Sequence, residues 1–234
     1  MIEIFVETKN TLKLNQMYAA LANRDIGVPG MGLVRGSSGA GKTTAVHELI
    51  KLNNGVYVRA MALSTPTSLC ESIAVGIGLE PVRGSSKLIL AVIDRLVVNP
   101  RPIFVDEIDY LFNNPKLLEI LRDITDSTNV PVVLVGMDGI ERKVLRFRQH
   151  ARRILRSVEF LPLDSEDFDK LCDRVSEVAL APCLKSHLYQ QTKGSVGLAM
   201  VGLSQIEKFG MGMPEVTLDD WQGADKRLFL GACV

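Results

Sequence analysis

Eight consecutive residues, Gly36-Ser37-Ser38-Gly39-Ala40-Gly41-Lys42-Thr43, constrain this chain more than anything else in it. They match Gly-x-x-x-x-Gly-Lys-Ser/Thr, and their flanks suit the match. Residues 31–35 are a short apolar run that reads as a strand, and residues 42–52 read as a helix. A glycine-rich turn between strand and helix lets backbone N–H groups converge on phosphate oxygens at the positive end of the helix. In that arrangement Lys42 reaches the β and γ phosphates of a nucleoside triphosphate and the Thr43 hydroxyl binds Mg²⁺. Thr44 stands beside them in the first helical turn.

A second segment supplies what such a loop lacks. Ile103-Phe104-Val105 reads as a buried strand, and Asp106-Glu107 follow at its end. An aspartate there can hold Mg²⁺, and a neighbouring carboxylate can orient or deprotonate an attacking water. The expected ligands are therefore ATP and Mg²⁺, with Asp106 as the metal carboxylate, Glu107 as the base, and hydrolysis as the outcome.

Around these motifs strand and helix signals alternate. A helix over residues 12–23, with Thr11 as a possible cap, leads to a Gly/Pro break at residues 27–30. Strands are expected at 31–35, 56–62, 103–105, 130–135 and 158–161. Helices are expected at 42–52, 67–77, 87–97, 114–125 (Asn114 as cap, Pro115 in the first turn) and 139–155. This alternation predicts an α/β fold with a parallel sheet flanked by helices. After Pro162 the strand signals stop, and Ser165-Glu166-Asp167 opens a run of helical patterns to about Phe209. Residues 1–164 are thus expected to form the α/β nucleotide-binding part, and residues 165–234 a small helical part with a C-terminal tail.

Charge and cysteine usage exclude several classes. Lys+Arg and Asp+Glu both number 27, so any nucleic-acid binding must come from a local patch. Cys70, Cys172, Cys183 and Cys233 show neither metal-ligand spacing nor a disulfide framework, and free thiols in a reducing cytoplasm are expected. No export signal and no run of about 18 apolar residues is evident, so neither secretion nor a membrane partner is expected. His47, His150 and His187 lack ligand spacing, and Trp221, Met211 and Met213 read as packing residues.

Two local features remain. Arg142, Lys143, Arg146, Arg148, Arg152, Arg153 and Arg156 fall within fifteen residues that contain no acid. They suit an exposed helix face, an arginine finger acting on a neighbouring subunit, or a nucleic-acid contact. Arg152 and Arg153 are the finger candidates; Arg142, Lys143, Arg146 and Arg148 are candidate DNA contacts. The loop at residues 80–87 carries Arg83, Ser85, Ser86 and Lys87, which suit phosphate-backbone contact or an ordinary turn ending in a serine helix cap.

With its GSSGAGKT loop, IFVDE strand, PVVLVGMDG segment, arginine-rich helix and small helical C-terminal part, the chain resembles the AAA+ ATPases over nearly its whole length. Within them it looks most like the transposition-targeting branch, typified by the B protein of phage Mu and the TnsC and TniB proteins of transposons. The compact size, VDEIDYL, VLVGMDG and the stretch from Arg152 to Leu163 carry that likeness. The resemblance implies ATP-dependent assembly of copies of the chain into an oligomer or filament on double-stranded DNA, and recruitment of a transposase. It also implies a polar sensor residue after the fourth strand, for which Asp138 is the candidate beside Met137. Lys193-Gly194-Ser195-Val196-Gly197 falls where many relatives carry Gly-x-x-Arg, so the second-sensor arginine is absent. A helicase-loader or replication-initiator-like ATPase, and an adaptor that binds ATP without turning it over, are the alternatives.

Overall fold

The computed structural model describes residues 1–2 and 4–223. Five parallel strands form one sheet in the order β2-β3-β4-β1-β5: β1 (Met31–Gly36), β2 (Val56–Arg59), β3 (Ile103–Asp106), β4 (Val132–Val135) and β5 (Ile154–Phe160). Every residue of β3 and β4 is buried, which is why both read as solid apolar runs without alternation. Parallel neighbours need crossovers, supplied by α2 (Lys42–Leu52), α3 (Pro66–Gly76), α4 (Ser85–Val98), α5 (Pro115–Thr128), α6 (Ile140–Arg146) and α7 (Arg148–Ala151), with a 3-10 helix at Ile108–Asn113. The sheet is thus flanked by helices in the manner of a P-loop AAA+ module.

The Asn114 side chain caps α5 by accepting from the Lys116 N–H, and Leu117, Leu118, Leu121 and Ile124 fall on its buried face. With Ile73, Leu88, Val92 and Leu96 they close the core over the sheet. Each such side chain contributes roughly 1.5–3 kcal/mol through burial.

Several expected boundaries change. Helix α1 (Lys9–Ala22) starts earlier than residue 12, and Thr11 is buried inside its first turn instead of capping it. Strand β2 stops at Arg59 because the Met61 N–H bonds the Ser64 hydroxyl and the Ser64 N–H bonds the Met61 carbonyl, turning the chain ahead of Pro66. Strand β4 begins at Val132 instead of residue 130, since Asn129 ends α5 in the left-handed conformation. The single basic helix expected at residues 139–155 is divided at Phe147, whose ring lies 6.0 Å from that of Phe112. It then gives way to β5, longer than the expected 158–161, because Ile154 already pairs with Met31.

The molecule forms two compact units. Among the described residues, one holds Asn10–Ser37 and Lys42–Phe160; the other gathers those of residues 1–9, Ser38–Gly41 and residues 161–223. The second unit contains α8 (Ser165–Val175), α9 (Pro182–Thr192), α10 (Val196–Gly210) and α11 (Leu218–Gly223). It also holds two short parallel strands, β6 (Ala179–Leu180) and β7 (Glu215–Val216), at two residues each too brief to leave a sequence pattern. Phe168, Leu184, Leu188, Leu203, Ile206 and Trp221 build its core, with Trp221 edge-on to Phe209 at 5.5 Å. Met211 is 76% exposed and does not pack. Cys70, Cys172 and Cys183 are free thiols, and Cys233 lies outside the described residues. Among the described residues, no helix is long and apolar enough to cross a membrane.

Candidate nucleotide site

Because β3, β4 and β1 are adjacent and parallel, the segments after their C-terminal ends emerge side by side. Open α/β sheets bind ligands along this edge. The segment after β1 is the glycine-rich turn, where Gly39 and Gly41 take φ of +75° and +85°, backbone that other residues rarely adopt. The turn hands over to α2 at Lys42, with Thr43 and Thr44 exposed in the first turn. Ser37 and Ser38 are exposed, Gly36 and Ala40 buried. The Lys42 ammonium is buried within the loop and donates to the carbonyls of Gly36 (2.7 Å) and Ser37 (2.8 Å). Desolvation holds its pKa below the usual lysine value. The carboxylates of Asp138, Asp106, Glu107 and Asp109 oppose that shift, Asp138 most strongly. Asp138 is thereby brought to bear on Lys42, though it is itself exposed.

Asp106 ends β3 buried, with both oxygens engaged. Oδ2 accepts from the Thr43 hydroxyl at 2.8 Å and from the Tyr57 hydroxyl at 3.3 Å, while Oδ1 accepts from the Glu107 N–H at 2.8 Å. Mg²⁺ takes oxygen ligands at about 2.0–2.1 Å in near-octahedral geometry, so neighbouring ligands lie about 2.9 Å apart. The Thr43 and Asp106 oxygens already have that separation and the required hard-donor chemistry. Among the described residues no group of three or more His, Cys, Asp or Glu could hold a metal. One carboxylate and one hydroxyl, with phosphates and water completing the shell, is the set Mg²⁺ commonly uses beside a triphosphate.

Glu107 follows Asp106 in the left-handed conformation, φ 58° and ψ 38°, unusual for a glutamate and typical of residues held for function. Its carboxylate is partly exposed, and an Arg59 nitrogen lies 3.7 Å away. Arg59 pairs with Asp106 in the β2–β3 register. Tyr57, Arg59 and Asp109 escape sequence reading, since their proximity depends on strand order. For Asp109 the one visible signal is the return of an acid two residues after Glu107 in Asp106-Glu107-Ile108-Asp109. In the second unit the Gly197 N–H, in the first turn of α10, donates to the Gly39 carbonyl at 2.8 Å. A Cβ on Gly197 would lie 3.1 Å from the Gly39 Cα, so this position favours glycine. Lys193 ends α9 in the left-handed conformation.

The remaining candidates lie elsewhere. Arg152 and Arg153 precede Ile154, which pairs with Met31 at the start of β1. The loop follows the end of that six-residue strand, which at about 3.3 Å per residue is about 17–20 Å away. Arg152 is exposed, and Arg153 pairs with Asp126 at 2.9 Å. Arg142, Arg146 and Arg148 are exposed, and Lys143 pairs with Asp109 at 3.2 Å. Arg83, Ser85, Ser86 and Lys87 are all exposed. The serines occupy the first turn of α4, and Gly84, not a serine, stands at the cap with no side-chain bond to the helix.

Residues 25–144 match a family model described as an AAA domain. No curated protein sequence matches the chain. Among solved structures, similar folds include the Aeropyrum pernix ORC1 protein in complex with DNA (TM-score 0.66, 20% identity, covering 96% of this chain and 66% of that one). Cdc6p from Pyrobaculum aerophilum is similar at TM-score 0.70 and 17% identity, over 98% and 70% of the two chains. A Walker-type ATPase of Pyrococcus abyssi is similar at 0.67 and 15%, over 89% and 69%. The chain spans about two thirds of the length of these structures.

Proposed function

The chain belongs to the AAA domain family, and from that premise we propose that it is a Mg²⁺-dependent ATPase whose triphosphate-bound state assembles on duplex DNA. The observation that carries the reading is Asp106, which accepts from Thr43 of the phosphate loop through one oxygen and from the Glu107 N–H through the other. One buried carboxylate thereby ties the phosphate cradle to the base. Lys42 offers its charge to the β and γ phosphates. Mg²⁺, held by Thr43 and Asp106, would neutralise phosphate charge. Glu107 orients a water against the γ phosphorus and takes its proton as the bond to the ADP oxygen breaks. Arg59 holds the Glu107 carboxylate from the neighbouring strand. Asp138 is a carboxylate, which accepts and does not donate, so its partner is Lys42 or the water and not the γ-phosphate oxygen.

The distance from Arg152 and Arg153 to the loop of their own subunit suits a finger acting on a neighbour's nucleotide. Arg152 is the stronger candidate because Arg153 is engaged with Asp126. For DNA, Arg83 and Lys87 flank a helix start whose N–H groups lack a side-chain cap, an arrangement suited to phosphate oxygens. Arg142, Arg146 and Arg148 come second, with Lys143 partly occupied. With zero net charge each subunit offers few contacts, so affinity grows through self-assembly.

The client is a transposase on the sequence resemblance. A second reading, a replication-initiator-like ATPase, is favoured by the fold likeness to the ORC1 protein and Cdc6p. Stimulation of a transposase encoded beside the gene for this chain would decide for the first reading. DNA binding measured at matched salt with a slowly hydrolysed ATP analogue, with ADP and without nucleotide tests the shared core. The expected result is tight binding only with the analogue, falling with salt at a log–log slope of about −0.9 per neutralised phosphate. Replacing Arg83 and Lys87 by alanine should lower affinity and slope, and Arg152→Ala should lower assembly and turnover while sparing nucleotide affinity. Equal binding in all three nucleotide states contradicts the proposal.

A further inference from the structure

Asp109 lies two residues beyond Glu107, in the 3-10 helix, and is the one strand-end acid without a role so far. Its Oδ2 accepts from the backbone N–H of Met137 at 2.8 Å, and its Oδ1 accepts from the Lys143 ammonium at 3.2 Å. These bonds join three elements: the helix after β3, the turn after β4, and α6. The turn after β4 has few other anchors. The Gly136 N–H is spent on the Val34 carbonyl of β1, the Ile140 N–H returns to the Met137 carbonyl, and Asp138 is exposed. Gly136 leaves space for the carboxylate, as a Cβ there would lie 3.1 Å from Asp109 Oδ2.

We propose that Asp109 is a positioning residue that clamps the Met137 N–H and so fixes the turn carrying Asp138 relative to Glu107. The clamp runs through few bonds. Glu107, held in the left-handed conformation, stands at the N-cap of the short helix that carries Asp109, and Met137 is bonded to Asp109 and adjacent to Asp138. Base and sensor candidate are therefore set relative to one another by one side chain that touches none of the reacting atoms. The Lys143 bond adds a link from the same side chain to the cationic helix α6.

The clamp needs an acceptor oxygen, not a charge. Asp109→Asn keeps a carbonyl oxygen for the Met137 N–H and loses the charge pair with Lys143, whereas Asp109→Leu has nearly the same size and no acceptor. This inference rests on the ATPase reading, so Glu107→Gln is run beside the variants. Nucleotide affinity is titrated with a fluorescent ATP analogue, and kcat and KM are measured in steady state. Small misplacements near reacting groups cost up to about a hundredfold, so Asp109→Leu is expected to lower kcat by about tenfold to a hundredfold. Analogue affinity should stay within about threefold of wild type, since a contact that orients chemistry acts on kcat and not on binding. Asp109→Asn is expected to recover most of kcat. Should the leucine variant not fold, Asp109→Ser, too short to reach the N–H, replaces it.

Wild-type kcat in the leucine or serine variant, alongside slowed Glu107→Gln, overturns the inference and leaves the ATPase reading intact. A joint loss of kcat and analogue affinity, or an asparagine variant as slow as the leucine variant, overturns it as well. Unchanged turnover in Glu107→Gln instead strikes the ATPase reading itself.

Discussion

The residues proposed to meet phosphate are those the sequence reveals best, because their chemistry is local. Gly36 to Thr43 need only a preceding strand and a following helix to become a cradle, and both are present. Asp106 and Glu107 need only a buried strand before them. Tyr57, Arg59 and Asp109 are different. The first two reach Asp106 and Glu107 because β2 lies beside β3, and the third reaches Met137 because β4 lies on the other side, neighbours that no local pattern declares. Lys42 illustrates what the surroundings add: it is a desolvated cation hydrogen-bonded to two loop carbonyls, with four carboxylates favouring its charge. Lys42→Ala is expected to abolish tight binding of a fluorescent ATP analogue, because no other cation contacts the loop carbonyls among the described residues. Wild-type affinity in that variant would contradict the phosphate role.

At the scale of elements, strong signals survived and weak ones moved. Asn114-Pro115 started α5 where a cap and a helix-starting proline should. Continuous cationic character across residues 142–156 concealed a break at Phe147 and the true start of β5, because charge says nothing of backbone direction. The two-residue strands β6 and β7 are below the length at which alternation can be seen. His150, on the short helix α7, has a measurable consequence. It is buried, its Nδ1 has no hydrogen-bond partner, and burial first, then the nearby Arg122 charge, hold its pKa below 6.5. In the unfolded chain the imidazole titrates at its ordinary value, so between the lowered pKa and 6.5 the unfolded state binds more protons. Stability is therefore fully present above about pH 6.5 and declines as pH falls through that window. Urea midpoints at pH 7.5 and 5.5 should show a larger drop for wild type than for His150→Leu. Equal drops would contradict a buried neutral imidazole.

For the whole molecule, alternating strands and helices were enough to predict a parallel sheet, but not the order β2-β3-β4-β1-β5. That order puts the ends of β3, β4 and β1 together and leaves Arg152 and Arg153 at the opposite edge. It turns scattered motifs into one site, and the distance it leaves between the arginines and the loop is what the proposed finger on another subunit rests on. The most direct measurement is a single-turnover assay of Glu107→Gln beside wild type, with radiolabelled ATP bound before Mg²⁺ is added. If Glu107 is the base in a site otherwise intact, ATP affinity is unchanged and phosphate release slows by about 10²–10⁴-fold. Release at the wild-type rate, with ATP bound normally, would mean that these carboxylates do not catalyse hydrolysis.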